Sequence, residues 1–157
     1  MDQLFTGKRY SFKNWPNPDL PDVAIGVYTV WDHDRFLYVG IAGTALTKDD
    51  VRKAKHKKAK SKGLYNRIKS HRQGVRGGDK FCIYIGDRFV LPSLSRDQIQ
   101  QIGDGSLTLD NLIREYIHQN LSYRFILVDD AREARAIENR IKAGNSLGGK
   151  PFLNPSE

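Results

Sequence analysis

The chain has 157 residues, 39% hydrophobic and 28% charged, with a net charge of +8. That size suits one domain around one core, and the composition is that of a folded globular protein rather than a disordered one. No apolar run approaches the roughly 18–20 residues of a membrane span, and Cys82 as the sole cysteine excludes both an intramolecular disulfide and a Cys-pair zinc site.

Residues 1–22 read as an irregular arm. Pro16, Pro18 and Pro21 within NWPNPDLPD disfavour helix and central strand alike. MDQLFTGKRYSF has an acidic second residue and no apolar stretch, so it does not read as a signal peptide. With the lone thiol, this points to a reducing, cytoplasmic setting. Next, VAIGVYTVW (23–31) and RFLYVGIA (35–42) are nearly continuous apolar runs, the pattern of buried strands. Asp32, His33 and Asp34 separate them, a spacing that predicts a hairpin.

A basic stretch begins at Lys48. Residues 51–78 contain no Asp or Glu and eleven cations: Arg52, Lys53, Lys55, Lys57, Lys58, Lys60, Lys62, Arg67, Lys69, Arg72 and Arg76. The window carries +11, which leaves −3 for the rest of the chain. Such a block attracts a polyanion by releasing its condensed counterions. RKAKHKKAKSKG has no apolar helical face, which argues against an anionic membrane surface as the partner.

Gly63 interrupts the block, and LYNRIKSHRQG (64–74) predicts a short helix stopped by Gly74. KFCIYIGDRFVL (80–91) reads as a further strand. Residues 93–121 read as largely helical, with a break at GDGS (103–106), and YRFILVD (123–129) as a strand. Asp130, with Glu133 three residues on, predicts an N-cap and capping box for the helix AREARAIENRIKA (131–143). A Gly/Pro-rich tail closes the chain. The order of elements implies an α/β (α+β) fold, a small sheet flanked by helices.

Several polar residues fall where chemistry would need them. Gly26-Val27-Tyr28 and Tyr38-Val39-Gly40 lie on the two hairpin strands, where the phenols can project to one side. Arg67 and His71 are four residues apart, which places both on one helix face, shared with Leu64 and Ile68. Glu138 follows Ala134 by four residues, beside Ile137, and so falls on the apolar stripe of its helix. A carboxylate there calls for a cation, either a metal or an arginine such as Arg67 or Arg135. Asn154 precedes Pro155 in FLNP, a common turn arrangement. Taken alone, each of these is ordinary packing or surface chemistry.

Together, and in this order, they resemble the GIY-YIG nuclease superfamily. The likeness runs from about residue 24 to 154, with an apparent insertion at about 79–121. It implies a small three-stranded, mainly antiparallel sheet flanked by helices, as a single domain over 23–157 with the basic segment at 48–76. It also implies that Tyr28, Tyr38, Arg67, His71, Glu138 and Asn154 hold the active-site positions. Both triplets carry Val where the family pattern has Ile. Tyr84-Ile85-Gly86 spells the second triplet more faithfully, but it lies too far from Tyr28 for the first hairpin and is expected on an inserted strand.

The expected activity is that of a metal-dependent endonuclease, with DNA favoured over RNA. Glu138 would hold one Mg²⁺, or Mn²⁺, since no second carboxylate is apparent. Arg67 would neutralise the phosphate. Tyr28 is the preferred general base, provided that neighbouring cations lower its pKa, and His71 is the rival base or a relay. Tyr38 would orient the water or a phosphate oxygen, Asn154 would fix local geometry, and the remaining basic residues would grip the backbone. One site cuts one strand, so a monomer or a homodimer is compatible. The alternative is a nucleic-acid-binding module without turnover on the same fold. GxxxxGK[ST] and strand-borne GxGxxG motifs are absent from the sequence, which argues against a nucleotide-binding enzyme.

Overall fold

The computed structural model describes residues 1–55 and 60–154. In chain order, α1 (Gln3–Thr6) and β1 (Tyr10–Ser11) precede β2 (Val23–Ala24), β3 (Gly26–Asp32) and β4 (Arg35–Ala42). Then come α2 (Lys48–Ala54), β5 (Lys62–Gly63), α3 (Leu64–Gln73), α4 (Lys80–Ile85), α5 (Arg96–Asp104), α6 (Leu109–Asn120), β6 (Leu121–Leu127) and α7 (Ala131–Lys142). The fold is α+β. Among the described residues no helix is long and apolar enough to cross a membrane.

The main sheet has four antiparallel strands in the order β1-β6-β3-β4. The expected three strands are its long members. The fourth, β1, is a two-residue addition from the arm, pairing Tyr10 with Tyr123. The hairpin turns at His33, which adopts φ 51°; the Asp32 carboxylate pairs with its ring and accepts the Tyr116 hydroxyl. Along the hairpin Tyr28 lies opposite Gly40 and Val30 opposite Tyr38. A separate two-residue parallel pairing joins β2 to β5. At that junction Gly63 has φ 69°, and a Cβ there would collide with the Ala24 carbonyl oxygen. Only glycine lets the chain turn into α3 while pressed against β2.

Each face of the sheet carries its own apolar layer. Tyr28, Val30 and Tyr123 pack beneath Leu64 and Ile68 of α3, Phe81, Cys82 and Ile85 of α4, and Ile113 and Ile117 of α6. Val27, Trp31, Phe36 and Val39 pack on the other side against Leu4 and Phe5 of α1 and Ala134 and Ile141 of α7. Both layers exclude water from strands whose sequences are apolar nearly throughout.

The arm is irregular outside α1 and β1, yet it is packed: Leu4, Phe12 and Leu20 are buried, and Asn17 donates to the Tyr123 hydroxyl at 3.0 Å. The three prolines fall between α1/β1 and β2 and interrupt neither. One expected element differs from the structure. Residues 80–91 are helical rather than a strand. α4 runs to Ile85, and a π-helical stretch, Gly86–Val90, and a 3₁₀ turn, Leu91–Ser93, continue it. Tyr84-Ile85-Gly86 therefore lies on helix. A short apolar run has no decisive period. The deciding feature is Asp79, whose carboxylate accepts the Phe81 N–H and caps the helix.

Candidate active site

The Tyr28 ring lies across Gly40. A Cβ at Gly40 would meet the Tyr28 hydroxyl oxygen, and the ring carbon bearing it at 2.6 Å. Glycine on β4 thus opens the slot that the phenol fills. Tyr38 is beside it, its ring centroid 6.2 Å away, so the two phenols share one face as their spacing implies. Tyr28 is buried, with 1% exposure, and Tyr38 is half-buried.

α3 brings His71 onto the same spot. Its Nε2 lies 2.6 Å from the Tyr28 hydroxyl and its Nδ1 lies 2.6 Å from Asp79 Oδ2. A carboxylate accepts only, so Nδ1 carries the proton and Nε2 accepts from the phenol. His71 and Asp79 are 1% and 3% exposed. Asp79 also receives the Ser70 hydroxyl at 3.4 Å and the Phe81 N–H at 3.0 Å. The result is a buried chain, Tyr28–His71–Asp79.

Burial sets the protonation of this chain. It pushes the Tyr28 phenol well above the ordinary tyrosine value, Tyr38 adds to the shift, and Arg67 only partly opposes them. The lowered phenol that a free-standing tyrosinate base requires is therefore not found: desolvation of the anion outweighs the nearby cation. Tyr38 is pushed up to about 12, by burial first and then by the carboxylates of Glu138 and Asp79. Burial lowers the His71 imidazole, against the opposing hydrogen bond and charge of Asp79. Burial works to raise the Asp79 carboxyl, but His71 and the N–H groups of Phe81 and Cys82 outweigh it and hold the group below its usual range. At neutral pH the chain is an ionised Asp79, a neutral His71 and a neutral Tyr28.

Arg67 sits one turn before His71. The expected inward face divides here: Leu64, Ile68 and His71 are buried and Arg67 is exposed. Arg67 lines a cleft of about 520 Å³ with Thr44, Asn66, Ser70 and Arg135, and among the described residues no carboxylate contributes to the lining. Among the described residues Arg67 has no ion pair or side-chain hydrogen bond.

Glu138 reaches the region from the other layer. α7 packs on the opposite face of the sheet from Tyr28, against β3 and the edge strand β4. Arg135 of the same helix nevertheless shares the cleft with Arg67, so α7 and α3 border one cleft at the end of β4. The Glu138 carboxylate is close enough to act on both phenols. Its side chain is 15% exposed and pairs with Lys142 at 3.3 Å rather than with Arg67 or Arg135. Glu138 does not line the arginine cleft, but a single half-buried carboxylate suits a hard, partly hydrated cation such as Mg²⁺. His71, Asp79 and Cys82 form a second donor group, within 4.8 Å of one another. Its imidazole and thiol suit zinc-type ions rather than Mg²⁺. Burial raises the Cys82 thiol pKa, and the thiol donates to the His71 carbonyl at 3.6 Å.

Asn154 has a structural role. Its side chain accepts the Val39 N–H at 2.7 Å and donates to the Val39 carbonyl at 2.9 Å. Phe152 and Leu153 continue along the same edge of β4. The basic segment is divided. Lys53, Lys55, Lys60, Lys62 and Lys69 are exposed, and among the described residues none is in an ion pair. Arg52 pairs with Asp49, Arg72 donates to the Phe12 carbonyl and Arg76 pairs with Asp110. The last two make these tertiary contacts through Nε. Lys57 and Lys58 lie outside the described residues.

The sequence left out Asp79, which completes the chain, and Arg135 as a lining residue of the cleft. The signal for Asp79 was its place directly before an apolar run, the position of a helix N-cap. No protein-family model, no curated protein and no solved structure matches the chain.

Proposed function

We propose that the chain is a metal-dependent nuclease that hydrolyses phosphodiester bonds of nucleic acid, with DNA favoured over RNA. The buried Tyr28–His71–Asp79 chain, beside a cleft lined by Arg67 and Arg135, carries this reading. The cluster of Tyr28, Tyr38 and His71, with the charges of Arg67 and Glu138 both acting on the two phenols, also supports the likeness to the GIY-YIG nucleases. The basic segment runs into the cleft through Gly63, Asn66 and Arg67.

In this reading the base is composite. As a water attacks phosphorus, Tyr28 takes its proton and passes its own to Nε2 of His71. Asp79 stabilises the resulting imidazolium, so a phenol with a raised pKa never has to carry a lasting charge. The P–O bond to the leaving oxygen then breaks with its electron pair on that oxygen, which takes a proton from water; the proton stored on His71 passes back through Tyr28 to solvent and restores the neutral imidazole. Arg67 binds the non-bridging oxygens, whose charge grows in the transition state. Tyr38 orients the water. A divalent ion held by Glu138, Mg²⁺ or Mn²⁺, would supply Lewis-acid neutralisation at the phosphate and the leaving oxygen.

The test is incubation with supercoiled plasmid, single-stranded DNA and RNA, with and without Mg²⁺, followed by end-group analysis. Cleavage that requires the ion and is lost in Glu138→Ala, with oligonucleotide binding retained, is expected. No cleavage of any substrate in Mg²⁺ or Mn²⁺, or unchanged cleavage by the variant, refutes the proposal.

A further inference from the structure

Arg135 has no part in the chemistry above. It stands three residues before Glu138 on α7, a spacing at which opposite charges ordinarily pair. That pair does not form. Glu138 takes Lys142 instead, and Arg135 is exposed, with no ion pair or side-chain hydrogen bond among the described residues.

Arg135 instead lines the cleft that Arg67 lines from α3. Among the described residues the other polar side chains there, Thr44, Asn66 and Ser70, are neutral. Two cations facing one cavity repel each other, and an anion between them reverses the sign of that term. The guanidinium fork matches phosphate oxygens with paired N–H groups. A cleft of about 520 Å³ also exceeds what one phosphate needs and lies in the range of ~300–1,000 Å³ that accepts a drug-sized ligand.

We propose that Arg135 is a substrate-positioning residue that holds the phosphate next to the one gripped by Arg67, so that the cleft takes a polynucleotide strand through two successive phosphates. This rests on the phosphodiesterase reading for the role of Arg67. Arg67 and Arg135 come from different helices, α3 and α7, on opposite layers of the sheet. A strand lying between them would pass the end of β4 and be held from both layers.

The experiment measures binding of a fluorescein-labelled single-stranded oligonucleotide by anisotropy in EDTA, so that cleavage plays no part, for wild type, Arg135→Ala and Arg135→Lys. The alanine variant should bind about tenfold more weakly and lose about one unit from the slope of log K against log salt. The lysine variant should recover the slope but not the full affinity, because charge returns without the fork. In competition, a trinucleoside diphosphate should displace the probe from wild type about tenfold better than a dinucleoside monophosphate, and Arg135→Ala should remove that advantage. In Mg²⁺, the loss in cleavage should fall mainly on KM. Wild-type affinity and slope in Arg135→Ala, or an undiminished two-phosphate advantage, overturns the clamp. If no cleavage is seen but these binding differences appear, the clamp stands and the nuclease reading falls. If cleavage is normal and binding is unaltered by the substitution, the clamp falls alone.

Discussion

Asp79 takes the Nδ1 proton of His71 and thereby leaves Nε2 as an acceptor 2.6 Å from the Tyr28 hydroxyl. Under the proposed nuclease reading, the pH response of cleavage follows from this one tautomer. With His71 as the proton store, activity should rise with pH through an imidazole whose pKa burial lowers, so the acid limb of kcat/KM lies below about 6.5. A tyrosinate acting alone would put that limb near or above 10. Asp79→Asn keeps an acceptor for Nδ1 but removes the charge that raises the His71 pKa and stabilises the imidazolium. It should lower kcat about 10²–10⁴-fold and move the acid limb to lower pH. A limb near 10 that ignores Asp79→Asn would return the base to Tyr28 alone.

At the scale of elements, the same few contacts hold the site and the secondary structure. Asp79 both caps α4 and orients His71, so the start of a helix and the orientation of this imidazole are one feature. Strand β4, which carries Tyr38 and Gly40, is an edge strand. The tail covers its free backbone, and Asn154 satisfies both polar groups of Val39. Asn154→Ala should cost about 1–2 kcal/mol in urea unfolding, the worth of two partly exposed hydrogen bonds. The Val39 amide should then exchange faster than in wild type. Unchanged exchange at Val39 would mean the tail does not secure this edge. Helix α7 begins as its sequence implies, with Asp130 accepting the N–H groups of Arg132 and Glu133. The Glu133 carboxylate reaches back to the Asp129 N–H, one residue earlier than a capping box requires.

For the whole molecule, buried titrating groups make stability depend on pH in two windows. The folded-state pKa of His71 is lowered. Below about 6.5 the unfolded chain binds a proton that the folded chain refuses, and stability falls as pH falls through that interval. The folded-state pKa of Tyr28 is raised. Its contribution is complete below about 10 and is lost as pH rises beyond. Urea midpoints at pH 7.5 and 5.5 should differ more for wild type than for His71→Gln; equal differences would remove His71 as the source. Charge is also distributed at this scale, with +11 in residues 51–78 and −3 elsewhere, and the segment leads into the cleft. Neutralising Lys55, Lys57, Lys58 and Lys60 should flatten the salt dependence of oligonucleotide binding by about 0.7–0.9 for each phosphate no longer neutralised. An unaltered slope would show that these lysines do not meet phosphates.

The hairpin over 23–42, the helix from Leu64 to Gly74 and the Asp130-capped helix were legible because their signals are local: apolar runs, a turn, a cap and a stopping glycine. The polar residues were legible as a set, and Tyr28, Tyr38 and His71 do meet in one cluster. Only the tertiary structure decided that residues 80–91 are helical, that the arm is buried, that Glu138 approaches from the far layer and that Asp79 completes the chain. It also reversed the expected shift of the Tyr28 phenol. Each of these depends on which surfaces lose water to segments distant in the chain, and desolvation is a property of packing that no run of neighbouring residues contains.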